Sequence, residues 1–375
     1  MLKRKKVLVA MSGGVDSSVA AALLVNAGYD VTGMFAVNYE EKDDNQAFTG
    51  RSTAETCWRG DYNDALRVAA KLKIPLLRLN FVKEYKKYVL DYMYSEYRAG
   101  RTPNPDVLCN KFVKFGVWLK KAKELGFDKI ATGHYARLNG GKNLQLRQAV
   151  DDNKDQTYFL HQLTQTQLKH VLFPVGKYTK PQVRALADKF KLPTAKKEES
   201  MGICFVGEVP MKKFLIKKIK TKKGKIIFSS GEAVGVHDGL AFYTIGERIG
   251  LKCQMSNFQC QIKSKAQMSN VKPVFVVDKN ANKNELVVGY NDDPLLFKKE
   301  IKITNINWIA GRAPKFPLKC EVRLRHRQAL QKCHCEAEGR GNLTVKFAQP
   351  QRAVTPGQFA VFYAKGVCLG GGVIQ

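Results

Sequence analysis

Near the start of the chain the apolar run VLVAM (7 to 11) breaks at Ser12-Gly13-Gly14. It passes at once into Asp16 to Ala27, where Val19, Leu23 and Ala27 recur at helical spacing before Gly28. A strand, a tight turn and a helix in that order form the opening unit of a parallel sheet, because parallel neighbours need a crossover and a helix supplies it. The rhythm repeats. VTGMFAV (31 to 37) and PLLRLNF (75 to 81) read as strands and Asn63 to Leu72 as the helix between them; helices over Val82 to Arg98 and Lys111 to Leu125 precede KIATGHYA, a strand ending at Gly133. The alternation predicts an α/β domain with helices on both faces of a Rossmann-like parallel sheet, and ligands at the carboxyl ends of its strands.

From about Ser230 the texture changes. PVFVVDK, NELVVGY, EIKITNINWIA, KCEVRLRHR, NLTVKFA and QFAVFYA are short alternating runs divided by Gly, Pro and Asn, the pattern of an antiparallel barrel or sandwich. Between the two textures, KKFLIKKIKTKKGK (212 to 225) carries eight lysines in fourteen residues, which suits a solvated or RNA-facing linker better than a membrane-surface helix. At 375 residues the chain exceeds one ordinary core. The expected division is a catalytic domain over 1–207, a small central domain over 208–272 and a C-terminal β-barrel over 273–375.

The charge points to a partner. Sixty-three Lys and Arg against 33 Asp and Glu leave +30, and such a field draws polyanions, of which nucleic acid is the commonest for a soluble protein. No run approaches the roughly 18 apolar residues of a membrane span, and VLVAM is too short for a secretory apolar region, so a cytoplasmic protein is expected. Its nine cysteines are then expected to be mostly reduced. Cys333 and Cys335 in CHC would share one face of a strand, but two ligands with no second pair make half-buried strand cysteines the better reading than a zinc site.

Three segments carry chemistry. In SGGVDSS (12 to 18) glycines let the backbone approach a ligand, amides at a helix start cradle phosphate oxygens, Ser12, Ser17 and Ser18 add hydroxyls, and Asp16 is placed to hold a magnesium ion on those phosphates. Neither a phosphoryl-transfer P-loop nor a GxGxxG dinucleotide turn is present. Cys109 follows the stiff turn TPNPD near a helix start with lysines close by, a setting that lowers a thiol pKa; Cys204 lies between Gly202 and Gly207 in a stretch that reads as mobile. Taken singly, either cysteine reads better as an inert buried thiol.

SGGVDSS resembles the pyrophosphate loop of ATP pyrophosphatases, the PP-loop fold of the adenine nucleotide alpha-hydrolases. Together with AGRTPNPDVLCNKFVKFG, IATGHYAR, DNKDQTYFL, LFPVGKYTKPQVR, AKKEESMGICFVGE, TIGERIGL, TPGQFAVFY and VCLGGGVI, in order over essentially the whole chain, it resembles the tRNA-specific 2-thiouridylase family. The resemblance implies that ATP adenylates the 2-oxygen of a tRNA wobble uridine and that sulfur displaces AMP. It implies ATP contacts from Ala10, Met11, Ser12, Gly13, Gly14, Val15, Asp16 and Ser17, with Ala36 and Gly133 at later strand ends. Cys204 is implied as the persulfide carrier and Cys109 as the second thiol, the two finishing as a disulfide. Asn104, Pro105 and Asp106 are implied at the target base, with Asp106 also a proton-transfer group, and Lys154, Asp155, Gln156, Arg325 and His326 at the tRNA. His326 stands where the family usually has a tyrosine. ATP and magnesium with no tightly bound prosthetic group, tRNA acceptors for Lys, Glu and Gln, and a cysteine desulfurase or sulfur-relay protein as donor complete the expectation. Two rival readings share the phosphate loop: an amidating or other PP-loop pyrophosphatase, and a non-catalytic RNA-binding relic.

If the +30 charge is used for binding, tRNA affinity will fall steeply with salt, with a log-log slope of about −0.7 to −0.9 per phosphate neutralised. Filter binding between low and physiological salt measures this, and a flat response contradicts it.

Overall fold

The computed structural model describes residues 4–40, 57–198, 211–250, 272–339 and 341–375. The strand β1 (Lys6–Ala10) pairs in parallel with β2 (Asp30–Val37) and, on its other edge, with β4 (Lys129–Ala131); β3 (Leu76–Asn80) extends the β2 side. The chain then leaves this sheet for the hairpin β5 (Arg137–Asn139) and β6 (Gln145–Arg147), and returns as β7 (Val171–Leu172), giving the order β3-β2-β1-β4-β7.

Alternation along β1 assigns the two faces. Val7 and Val9 pack under α1 (Val15–Asn26), α2 (Cys57–Leu72) and the helix Lys180–Lys189. Leu8 turns the other way, onto a cluster with Met34 of β2 and with Val89, Val113 and Trp118 from the helical run between Val82 and Glu124. The near-continuous apolar texture of β1 follows from burial on both faces.

The central unit is a second sheet in the order β10-β11-β12-β8-β9, built from β8 (Gly224–Phe228), β9 (Ala233–His237), β10 (Arg248–Ile249), β11 (Val274–Asn280) and β12 (Glu285–Gly289) around Ile226, Val276, Leu286 and Val288. This corrects the expected boundary at 272. β12 pairs in parallel with β8, so the central sheet runs past that point to Gly289. PVFVVDK and NELVVGY alternate as barrel strands do, and their assignment depended on pairing across some sixty residues, which local pattern does not encode. The basic stretch 212 to 225 is likewise only partly a linker: the helix Met211–Ile216 buries Phe214 and Leu215 in the first domain's core, with Phe214 stacked on Tyr94.

The remaining six strands are β13 (Phe297–Trp308), β14 (Leu318–Arg323), β15 (Gln331–Ala337), β16 (Leu343–Arg352), β17 (Phe359–Ala364) and β18 (Val367–Ile374). They pair in the order β13-β16-β15-β14-β17-β18, and β13 also pairs with β18, closing a barrel without free edges. The hairpin β5–β6 attaches to β18 through β6. Among the described residues no helix is long and apolar enough to cross a membrane.

Residues 155–165 form the seam between the first domain and the barrel. Asp155, 1% exposed, receives the guanidinium of Arg323 at 2.8 Å, the amide of Ala149 and the hydroxyl of Thr157. The Tyr158 hydroxyl donates to the carbonyls of Leu324 and Phe359, Gln162 Nε2 to Gly371, and Gln165 Nε2 to Ile309; Asn307 Nδ2 returns two bonds to the carbonyls of His161 and Leu163.

Burial lowers the pKa of His161 to about 4, partly opposed by its bond to the Tyr158 carbonyl, and burial with the nearby Arg327 charge lowers His326 to about 4. Burial also pushes His134 well below the ordinary histidine value. All three are therefore neutral in the fold, while the unfolded chain takes up protons below about pH 6.5. Stability is expected to be lost as pH falls from about 6.5 to about 4, with Tm lower at pH 5 than at pH 7 and the difference smaller in His326→Phe. Thermal unfolding across that range measures it; an identical pH dependence in His326→Phe contradicts neutral burial of this ring.

Candidate active site

The order β3-β2-β1-β4-β7 places a topological switch point between β1 and β4, where such sheets take up ligands beyond their carboxyl ends. SGGVDSS sits there. Gly13 adopts φ +75°, and a Cβ on it would lie 2.2 Å from the Asp61 carbonyl oxygen, so both its conformation and its contact with α2 require glycine. Ser17 and Ser18 are turned inward, their hydroxyls donating to the Gly14 carbonyl; Ser12 is exposed, and its amide donates to Ser17 Oγ. Gly133 follows β4, and a Cβ there would lie 2.7 Å from the Ser17 amide. Ala10 and Ala36 end neighbouring strands, so the expected nucleotide contacts do converge on one rim.

Two ion pairs frame this loop. Asp16 Oδ1 accepts from Lys180 Nζ at 2.7 Å and from the Tyr135 hydroxyl at 2.8 Å. Lys180 heads its own helix, behind the Thr179 capping box, and its amide donates to Asp151. On the other side Lys197 Nζ lies 2.6 Å from both Asp61 and Asp64 of α2. Burial alone lowers the Lys197 pKa, but its bonds to the two carboxylates raise it on balance.

The turn TPNPD is held from both ends. Asn104 caps the helix Pro105–Leu108 by accepting the Val107 amide, and Pro105 occupies the first helical position. From the barrel, Gln358 Nε2 donates to the carbonyls of Thr102 and Pro103, its Oε1 accepts from Asn104 Nδ2, and the Pro356 carbonyl accepts the Thr102 amide. Nearer the sheet, Arg101 makes a fork to Glu96 at 2.5 and 2.7 Å.

Cys109 is fully buried and is not at the helix start. It follows the first turn and opens the wider π-helical stretch Cys109–Val117, in one core cluster with Leu8, Met34 and Ile130. The expected help from a helix N-terminus is therefore small, because the dipole effect falls off within the first turn. Lys111 turns its Nζ to Gln162 Oε1, and burial lowers its pKa. Cys204, with the segment 199–210, lies outside the described residues, as does the basic stretch 252–271.

The residues expected at tRNA separate into two kinds. Arg325 is exposed, and Lys154 and Gln156 are partly so, with Gln156 Oε1 accepting the Tyr135 amide. His326 packs its ring against Phe159 at 4.5 Å. Asp155, by contrast, is in the interior and bound to Arg323, so in this structure it ties domains together and presents no face to an RNA. Gln358, Lys180, Lys197 and Asp61 also hold the site, and sequence alone does not single them out. TPGQ and TKPQVR were visible as motifs, but nothing local told which distant segment each would grip.

A parallel sheet with a glycine-serine phosphate loop at its switch point, followed by a small sheet domain and a closed barrel, defines a three-part nucleotide-dependent enzyme. Three family models cover those parts: a tRNA methyl transferase HUP domain over residues 5–208, a tRNA methyl transferase PRC-barrel domain over 212–290 and an aminomethyltransferase beta-barrel domain over 298–374. Over its full length the chain is 44% identical to the tRNA-specific 2-thiouridylase MnmA of Francisella tularensis subsp. holarctica (strain FTNF002-00 / FTA) and 45% identical to that of subsp. novicida (strain U112), with 100% of both chains covered in each case. A fainter likeness, 19% identity and TM-score 0.32 over 57% of this chain and 50% of the other, is to a 4-thiouridine synthetase–RNA complex with bound ATP, and it carries no argument. The chain belongs to the tRNA-specific 2-thiouridylase family.

Because Gln358 is the barrel's grip on the turn before Cys109, Gln358→Ala is expected to lower kcat for tRNA modification by about tenfold, with binding of ATP to the isolated enzyme unchanged. About 1.4 kcal/mol, one or two lost hydrogen bonds at a positioned loop, corresponds to that factor. An unchanged kcat contradicts the positioning role.

Proposed function

We propose that this chain is a tRNA 2-thiouridylase. It uses ATP to adenylate the 2-oxygen of a wobble uridine and transfers a persulfide sulfur to that carbon, giving 2-thiouridine, AMP and pyrophosphate. The observation that carries the reading is the full-length identity of 44% to proteins of that name, supported by a phosphate loop at the sheet's switch point.

The chain's own groups divide the work. Amides and hydroxyls from Ala10 to Ser17 hold the ATP phosphates. Magnesium supplies charge neutralisation on those phosphates when bound, with Asp16 as its carboxylate; the bonds from Lys180 and Tyr135 to Asp16 both go to one oxygen. The Asn104-Pro105-Asp106 turn meets the splayed-out base, with Asp106 moving the proton, and Arg325 and Lys154 meet the RNA backbone.

Cys204 carries the sulfur. Lys197, earlier in the same family motif, is anchored to α2 beside Gly13. In one order, Cys109 thiolate attacks the inner sulfur, the outer sulfur leaves as sulfide, and sulfide displaces AMP. In the other, the outer sulfur displaces AMP first, and Cys109 attacks Cys204 to release the thiolated base. Both end at the Cys109–Cys204 disulfide, which an external dithiol reduces. Since Cys109 is 0% exposed, either order requires the turn before it to move. A cysteine desulfurase or relay protein supplies the persulfide, and tRNAs for Lys, Glu and Gln are the acceptors.

With ATP, magnesium, a sulfur source and unmodified tRNA, nucleoside mass analysis is expected to show 2-thiouridine. Cys204→Ser is expected to abolish it while tRNA-dependent pyrophosphate release continues for at least one turnover. Thiolation surviving in Cys204→Ser removes the role given to that residue; no tRNA-dependent pyrophosphate from the unaltered chain removes the whole reading.

A further inference from the structure

We propose that the C-terminal barrel holds a thiophilic metal ion, zinc in the first instance, between the thiolates of Cys320, Cys333 and Cys335. None of these residues takes part in the chemistry described above. β14 and β15 run antiparallel with Cys320 directly opposite Cys333, and Cys335 stands two residues further along the same face, opposite Leu318. All three belong to or pack against the barrel's inner cluster with Val322, Val345 and Phe347. The hairpin therefore aims three sulfurs at one point.

Their spacing suits one ion. The Sγ separations are 3.6, 3.7 and 4.0 Å. Zinc–thiolate bonds of about 2.3 Å at tetrahedral angles put ligand sulfurs about 3.8 Å apart. The circle through three points at the observed separations has a radius of about 2.2 Å, so a zinc ion at its usual bond length stands slightly out of their plane, as at the apex of a tetrahedral face. Thiols that each bond a different iron of a cluster stand further apart than the edge of a one-metal site, so the trio fits a single ion. A disulfide would need a pair to close to about 2.05 Å.

Among the described residues no histidine or carboxylate joins the three as a fourth ligand. The fourth position falls to water or an external thiolate. Cys320 is the one residue of the three that is partly exposed, so the ion enters beside it. Binding replaces three S–H bonds by three S–Zn bonds and releases three protons, with no change of oxidation state, and occupancy falls as pH drops. The ion pins β14 to β15 at the hairpin that leads into Arg323 and His326, and ties together one stretch of the barrel wall.

The test uses the full chain, purified reduced and without chelator, alongside Cys320→Ser, Cys320→Ala and the Cys109→Ser/Cys204→Ser double variant. Elemental analysis is expected to give one zinc per chain in the unaltered and double-variant proteins, and none in either Cys320 variant. Cobalt titration of the chelator-stripped chain is expected to give thiolate-to-cobalt charge transfer and the strong visible bands of a tetrahedral site, again absent without Cys320. Zinc should raise Tm of the stripped chain but not of Cys320→Ala. The proposal is overturned if the unaltered chain holds no more zinc than the Cys320 variants, if zinc is lost in the double variant, or if rapid alkylation and mass mapping find a Cys320–Cys333 disulfide. Should the Cys320 variants fail to fold, the zinc content and cobalt spectrum of the unaltered and double-variant proteins decide alone.

Discussion

A carboxylate with no side-chain exposure and a guanidinium 9% exposed meet at 2.8 Å between the first domain and the barrel. Asp155 and Arg323 come from positions 168 residues apart, and neither charge is tolerable in that interior without the other: removing one partner of such a pair costs about 3–5 kcal/mol. Around it directional bonds from Thr157, Tyr158, Gln162, Gln165 and Asn307 cross the seam, over an apolar layer in which Leu160 and Leu163 pack with Phe359 and Val361. Directional bonds fix an angle as well as a contact. The barrel's position relative to the sheet is therefore set closely, and with it the position of Gln358.

That setting matters because the turn in front of Cys109 belongs to no single domain. Its chain comes from the helical layer of the first domain, its carbonyls are bound by the barrel, and Lys279 of the central sheet donates to the Gly100 carbonyl two residues upstream. Burial of that lysine lowers its pKa to about 8, which marks a close-packed junction. The phosphate loop is held differently, by α2 through Gly13 and Asp61 and by the Lys180 helix through Asp16. One half of the site is intrinsic to the sheet; the other exists only when three domains are docked.

Legibility in the sequence followed the same division. The sheet, its phosphate loop and the helices around it were readable because strand and helix periods are local, and Ser12, Gly13, Asp16 and Gly133 fell where a switch point puts them. Cys109 was readable as a residue but not in its setting: a helix start was expected and a buried second turn was found. Asp155 was expected at the tRNA because DNKDQTYFL resembles the family's motif, and only the position of Arg323 reveals that its charge is paired internally. The boundary at 272 failed for a related reason, since parallel pairing of β12 with β8 leaves no trace in either run. CHC showed that two thiols share a face, but Cys320, on the neighbouring strand and thirteen residues earlier, could not be added without the register.

The hairpin β5–β6 sits within the stretch matched by the first family model and yet hydrogen-bonds to β18, the last strand of the barrel. The first and third matched regions are thus separate in sequence but share one sheet. A cut between them uncovers the start of the barrel's final strand, at Val367 and Cys368, and strips the hairpin of its partner. A hairpin of the first region and the last strand of the barrel belong to one continuous sheet, and neither region is closed off as a separable module.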